Sequence, residues 1–82
     1  MGLKKLAAKV AEYQDRLAAG HASKIEPEHV ERVLEKLRRK EADLRARLAS
    51  DPVDAECEDL QHKLKVAREH IERAEWLRRE LA

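Results

Sequence analysis

The sequence predicts an all-α fold: an antiparallel, coiled-coil-like helical hairpin preceded by a shorter N-terminal helix, assembled as a three-helix bundle or a helical oligomer. Three observations predict it. The 82-residue chain is 43% charged, 43% hydrophobic and only 2% aromatic, and Ala, Leu, Glu, Arg and Lys dominate, which is the composition of long helices. Apolar residues recur at alternating steps of three and four. Interior chain breakers gather in two places, between Gly20 and Pro27 and between Ser50 and Pro52. β-branched residues are few, which disfavours a sheet. The length suits one domain over residues 1–82.

The first helix is expected over about residues 3–19, with Leu3, Leu6, Val10, Tyr13 and Leu17 on one face. Gly20 suits the left-handed position just past a helix end, and residues 20–26 read as a linker. Pro27 fits a first helical turn, where its missing N–H costs nothing, and Glu28 and Glu31 favour the positive end of a helix there. The second helix is expected over about 27–49, with the stripe Val30, Leu34, Leu37, Glu41, Leu44 and Leu48. Ser50 and Asp51 read as the turn, Asp51 as an N-cap and Pro52 as the first residue of a third helix over about 52–81. Its stripe is Val53, Cys57, Leu60, Leu64, Ala67, Ile71 and Ala74.

So short a break makes the second and third helices antiparallel neighbours. A turn centred between Ser50 and Asp51 pairs Leu48 with Val53, Leu44 with Cys57, Leu37 with Leu64, Leu34 with Ala67 and Val30 with Ile71. The charges agree. Each of these helices starts acidic (Glu28, Glu31, Glu35; Asp54, Glu56, Glu58, Asp59) and ends basic (Arg38, Arg39, Lys40, Arg45, Arg47; Arg73, Arg78, Arg79), so folding back sets opposite charges side by side. Glu41 interrupts the stripe opposite Leu60. Its stem can cover apolar surface while its carboxylate reaches Arg45; the sharper alternative is a polar device that fixes register.

The first helix is too short to be stable alone. Val33, Val66, Trp76, Leu77 and Leu81 fall off the hairpin seam, so two arrangements satisfy them. Leu6, Val10, Tyr13 and Leu17 can cover them within the chain, or they can meet a second chain. The residues expected to bind a partner are therefore Val33, Trp76, Leu77, Leu81, Leu6, Val10 and Tyr13, with a homodimer or another helical protein as partner. The third helix outlasts the second, and this end is where a partner is expected.

No catalytic, cofactor or metal site is expected. Glu58 and His62 are four apart on one helical face, but no second ligand pair is in register with them. His21, His29 and His70 read as surface or seam-edge residues. Cys57 reads as a small core hydrophobe rather than a reactive thiol. Ser23 and Ser50 sit in the breaks as turn or cap residues, and there is no glycine-rich phosphate loop. A nucleic-acid reading would use Lys4 and Lys5 of the first helix with Arg38, Arg39 and Lys40 of the second, and Lys9 adds to the first group. A net charge of +1 and the shortage of aromatics argue against it. A lone cysteine and the lack of a signal-like or membrane-length apolar run suggest a cytoplasmic protein with no membrane partner. The function this supports is helix-mediated protein interaction or oligomerisation.

Overall fold

The computed structural model describes residues 2–81; Met1 and Ala82 lie outside them. The chain forms α1 (Leu3–Ala18), a 3₁₀ turn (Ala22–Lys24), α2 (Pro27–Ala49) and α3 (Asp54–Leu81). There is no strand among the described residues. At 1.5 Å per residue the three helices are about 24, 35 and 42 Å long. The molecule measures 46 × 19 × 18 Å, one long helix by two helix diameters.

The three helices make one bundle. Its main apolar cluster joins Leu6, Val10 and Tyr13 of α1 to Val30, Val33, Leu34 and Leu37 of α2 and to Ile71, Ala74 and Leu77 of α3. A second cluster, of Leu44, Leu60, Leu64 and Ala67, lies nearer the α2–α3 turn. Ion pairs cross the hairpin in its antiparallel sense. Arg78 Nη1 lies 3.1 Å from Glu31 Oε1, Arg68 Nε 3.4 Å from Glu41 Oε2, and Arg38 Nη2 3.6 Å from Glu75 Oε1. The acidic start of α2 thus meets the basic end of α3. The basic end of α2 instead pairs along its own helix, Arg45 with Glu41 and Arg47 with Asp43. Glu41 follows the stem-covering reading, with a largely sheltered side chain shared between Arg45 and Arg68.

Each helix end has a separate physical account. At the end of α1 the Gly20 N–H donates to the Leu17 carbonyl (3.1 Å) and the His21 N–H to the Arg16 carbonyl (2.8 Å). These are the two bonds of a Schellman cap, and they need the left-handed backbone that Gly20 adopts at φ +78°. α2 ends on the same plan with one bond missing. The Asp51 N–H reaches the Leu48 carbonyl at 3.4 Å, but the next residue is Pro52, which has no N–H for Arg47. The Ser50 hydroxyl donates to the Arg47 carbonyl instead, at 2.7 Å.

The turn therefore differs from expectation. Asp51 is no N-cap: it takes the left-handed position after α2, at φ +60°. The break lengthens to Ser50–Val53, and α3 starts at Asp54 rather than Pro52, with the Val53 carbonyl accepting the first helical bond from Cys57. The longer turn undoes the pairing nearest to it. Val53 is 71% exposed instead of packing on Leu48. Cys57 is half-buried outside both clusters, and Leu44 packs with Leu60, Leu64 and Ala67 in its place.

Gly20→Ala is expected to cost about 1–2 kcal/mol in urea unfolding, through φ alone, because a Cβ there meets nothing within 4 Å. Ser50→Ala should cost about 0.5–1 kcal/mol. Pro52→Ala should offset part of that loss, since the restored N–H can reach the Arg47 carbonyl; a double-mutant cycle reads the coupling.

Candidate anion-binding face

The expected partner site is mostly interior. Leu6, Val10, Tyr13, Val33 and Leu77 are all under 9% exposed within the single chain, so they hold α1 to the hairpin and offer nothing to a partner. Leu81 is half-buried against the same cluster. Trp76 alone of the seven is exposed, at 42%. The end expected to be open is closed by the second half of α1 and by Ile25, a linker residue only 3% exposed. Ile25 directly precedes the helix-capping residue Glu26 and shares a cluster with Val30, four positions into α2, which is the arrangement of a hydrophobic staple. That spacing was the available signal for it. Leu77→Ala should therefore cost about 2–5 kcal/mol, while Trp76→Ala stays within about 1 kcal/mol; comparing their denaturation midpoints checks the assignment.

The polar residues fall into structural and unattached sets. Cys57 Sγ accepts a hydrogen bond from Gln61 Nε2 at 3.7 Å, and the Ser50 hydroxyl is spent on its cap. Among the described residues no three His, Cys, Asp or Glu side chains lie close enough together to hold a metal ion. His29 sits 3.1 Å from Glu26, exposed at the start of α2. Arg16 pairs with Glu12 and lies over the Tyr13 ring, 5.9 Å from its centre. Burial pushes the Tyr13 hydroxyl above its usual pKa, and the Glu12 carboxylate adds to the shift.

Cations are what the surface gathers. Three shallow depressions run along the α1–α2 side. The first lies among Lys9, Tyr13, Arg32 and Lys36. The second lies among Lys36, Arg39, Lys40 and Asp43. The third begins at Lys40 and continues to Lys4, Arg47 and Lys63. Lys36 and Lys40 each belong to two of them, so the three form one continuous strip. Lys4, Lys9, Arg32, Lys36, Arg39 and Lys40 form no ion pair with another described residue. The strip exists because α1 runs antiparallel to α2: its start lies beside Lys40 and Arg47, its middle beside Arg32 and Lys36. The two basic groups distant in sequence thus converge at Lys4 and Lys40. Arg39 joins them. Arg38 does not, because it turns to Glu75 on the other side, and exposed Lys5 lines none of the depressions. Lys36 and Arg32 were the residues that sequence reasoning missed. Their spacing of four, continued through Arg39 and Lys40, was the signal.

No protein-family model matches this chain, and comparisons with curated proteins and with solved structures give no significant match. No helix among the described residues is long and apolar enough to cross a membrane.

His70 supplies a pH-dependent contribution to stability. Its Nδ1 is buried with no hydrogen-bond partner among the described residues. Burial lowers its pKa below the usual 6.5, and Arg73 lowers it further against a smaller opposing effect of Glu69. The unfolded chain thus takes up this proton at a higher pH than the folded one. Stability is fully present above about pH 6.5 and falls as the pH drops from there through the lowered folded pKa. His70→Leu should flatten the slope of the urea midpoint between about pH 7 and pH 5. Every other titratable group is common to both proteins, so their difference isolates His70.

Proposed function

We propose that the chain is a non-catalytic helical interaction module that captures an acidic segment of a partner protein on its α1–α2 face. The supporting observation is the continuous strip of unpaired cations from Lys9 through Lys36 and Lys40 to Lys4. Such a strip raises the local concentration of anionic partners and speeds their encounter, even on a chain whose net charge is only +1. Self-association loses the apolar surface on which it was argued, since Val33 and Leu77 are internal. A protein partner is favoured over nucleic acid because the strip ends on half-buried apolar side chains, Leu3, Ala7 and Val66, which a phosphate backbone would not use. Its one aromatic ring, Tyr13, is buried and cannot stack on a base. A reducing compartment suits the free Cys57 thiol.

Fluorescence anisotropy with a labelled Glu-rich peptide tests this. Binding should weaken as salt rises from about 50 mM to 200 mM. Lys36→Glu combined with Arg39→Glu should weaken it at least about tenfold, and Arg38→Ala should leave it unchanged. Retention of duplex DNA at about 50 mM salt without retention of the peptide would replace this reading with the nucleic-acid one.

A further inference from the structure

The end of the strip at Tyr13 is built differently from the rest. Here the bundle sets two i,i+4 pairs against each other across the α1–α2 contact: Lys9 and Tyr13 on α1, Arg32 and Lys36 on α2. With His29 and Val33 they line a depression of about 180 Å³. It is the smallest of the three along the strip, and suits a single group rather than a length of chain. Lys9, Arg32 and Lys36 form no ion pair among the described residues. Lys9 is half-buried, although no counter-charge meets it. Tyr13 is only 7% exposed, and its hydroxyl makes no hydrogen bond among the described residues. The one buried side-chain polar atom left without a partner there is His70 Nδ1, so the Tyr13 hydroxyl is not sealed in the core but reaches the depression that the residue lines. Burial, and then the Glu12 carboxylate, raise its pKa, so it stays a neutral donor. The acids that act on it are already engaged: Glu12 holds Arg16, and Glu26 holds His29. The pocket thus brings together three uncompensated cations and one unused hydroxyl, drawn from two helices.

Resting on the acidic-partner reading above, we infer that this pocket holds a phosphoserine or phosphothreonine within the acidic segment. A carboxylate brings one charge and two oxygens in a plane. A phosphate monoester brings a charge of about −1.5 to −2 at pH 7 and three terminal oxygens around a tetrahedral centre. The planar fork of Arg32 suits two of those oxygens, Lys9 and Lys36 bring charge from either helix, and the Tyr13 hydroxyl can donate to the remaining oxygen. Phosphorylation of the partner then tightens a complex that charge along the strip already favours.

The test titrates the full chain, by fluorescence anisotropy, with labelled peptides of one Glu-rich sequence whose central residue is phosphoserine, Glu or Ser. The phosphoserine peptide should bind at least about tenfold more tightly than the Glu peptide. Lys9→Ala and Arg32→Ala should each bring that ratio within about threefold, and Tyr13→Phe, which keeps the ring in the core, should lower it at least about threefold. Arg39→Ala, further along the strip, should weaken all the peptides alike and leave the ratio unchanged. Unchanged circular dichroism and urea midpoints of the free variants verify that they fold. Equal binding of the phosphoserine and Glu peptides would overturn the phosphate pocket while leaving the acidic-partner reading standing. Binding of none would overturn both. A phosphoserine preference that survives Lys9→Ala and Arg32→Ala would place the phosphate elsewhere and overturn this site. Free phosphoserine competing as strongly as the peptide would give the pocket to a small phosphomonoester, and duplex DNA competing through the same residues would give it to a nucleic-acid backbone; either overturns the partner named here.

Discussion

The seating of α1 in the furrow between α2 and α3 is the contact on which the rest of the molecule depends. α2 and α3 can pair by themselves, but that pair leaves Val33 and Leu77 bare. These two become 4% and 0% exposed only because Leu6, Val10 and Tyr13 lie over them. α1 in turn has 16 residues, close to the length at which an isolated helix is marginal in water, so its helicity is borrowed from the contact. The same seating creates the cationic face. It lays the α1 lysines beside the α2 stripe of Arg32, Lys36 and Lys40.

Where α1 ends is fixed from its other end. The Schellman cap at Gly20, the 3₁₀ turn and the Ile25–Val30 staple reverse the chain within the eight residues between Ala18 and Pro27. Once that reversal is set, α1 runs back along α2 for about 24 Å, from Ala18 to Leu3. The two caps also differ in completeness for a visible reason. Gly20 takes the left-handed backbone without steric cost and completes both cap bonds. Asp51 takes it with a Cβ, ahead of a proline, and the Arg47 carbonyl accepts from the Ser50 N–H and hydroxyl in place of the N–H that Pro52 lacks.

Much of this was legible in the sequence because it depends on period and sign. The stripes that give three helices, the breakers that end them and the acidic-to-basic gradient that makes the hairpin antiparallel all have local causes. Gly20 was readable because left-handed backbone selects glycine. The turn was misread because Ser50-Asp51-Pro52 satisfies two rules at once: Asp before Pro is a good helix start, and it is also a tolerable residue after a helix end. The second use prevails here, and the two extra turn residues expose Val53 and displace Cys57 from the seam. Which surface covers the off-seam apolar residues was not legible for a different reason. Apolar residues off a two-helix seam look the same in sequence whether a third helix or a second chain covers them, and only the path of residues 19–26 decides. Ile25, in the middle of that path, was the one apolar residue that pointed inward.

The near-zero net charge conceals how the charges are partitioned. Every ion pair that crosses between α2 and α3 draws its arginine from the side away from α1: Arg38, Arg68 and Arg78 are held by Glu75, Glu41 and Glu31. The α1 side keeps Lys4, Lys9, Arg32, Lys36, Arg39 and Lys40 free of ion pairs among the described residues, while Arg16, His29, Arg47 and Lys63 there pair with Glu12, Glu26, Asp43 and Asp59. Exposed pairs of this kind contribute little to stability, so folding alone gives no reason to spend the acids on one side and withhold them from the other. Unpaired like charges along one helix face carry a small cost of their own. A face that keeps such a cost has the charge pattern that the proposed acidic partner would complete.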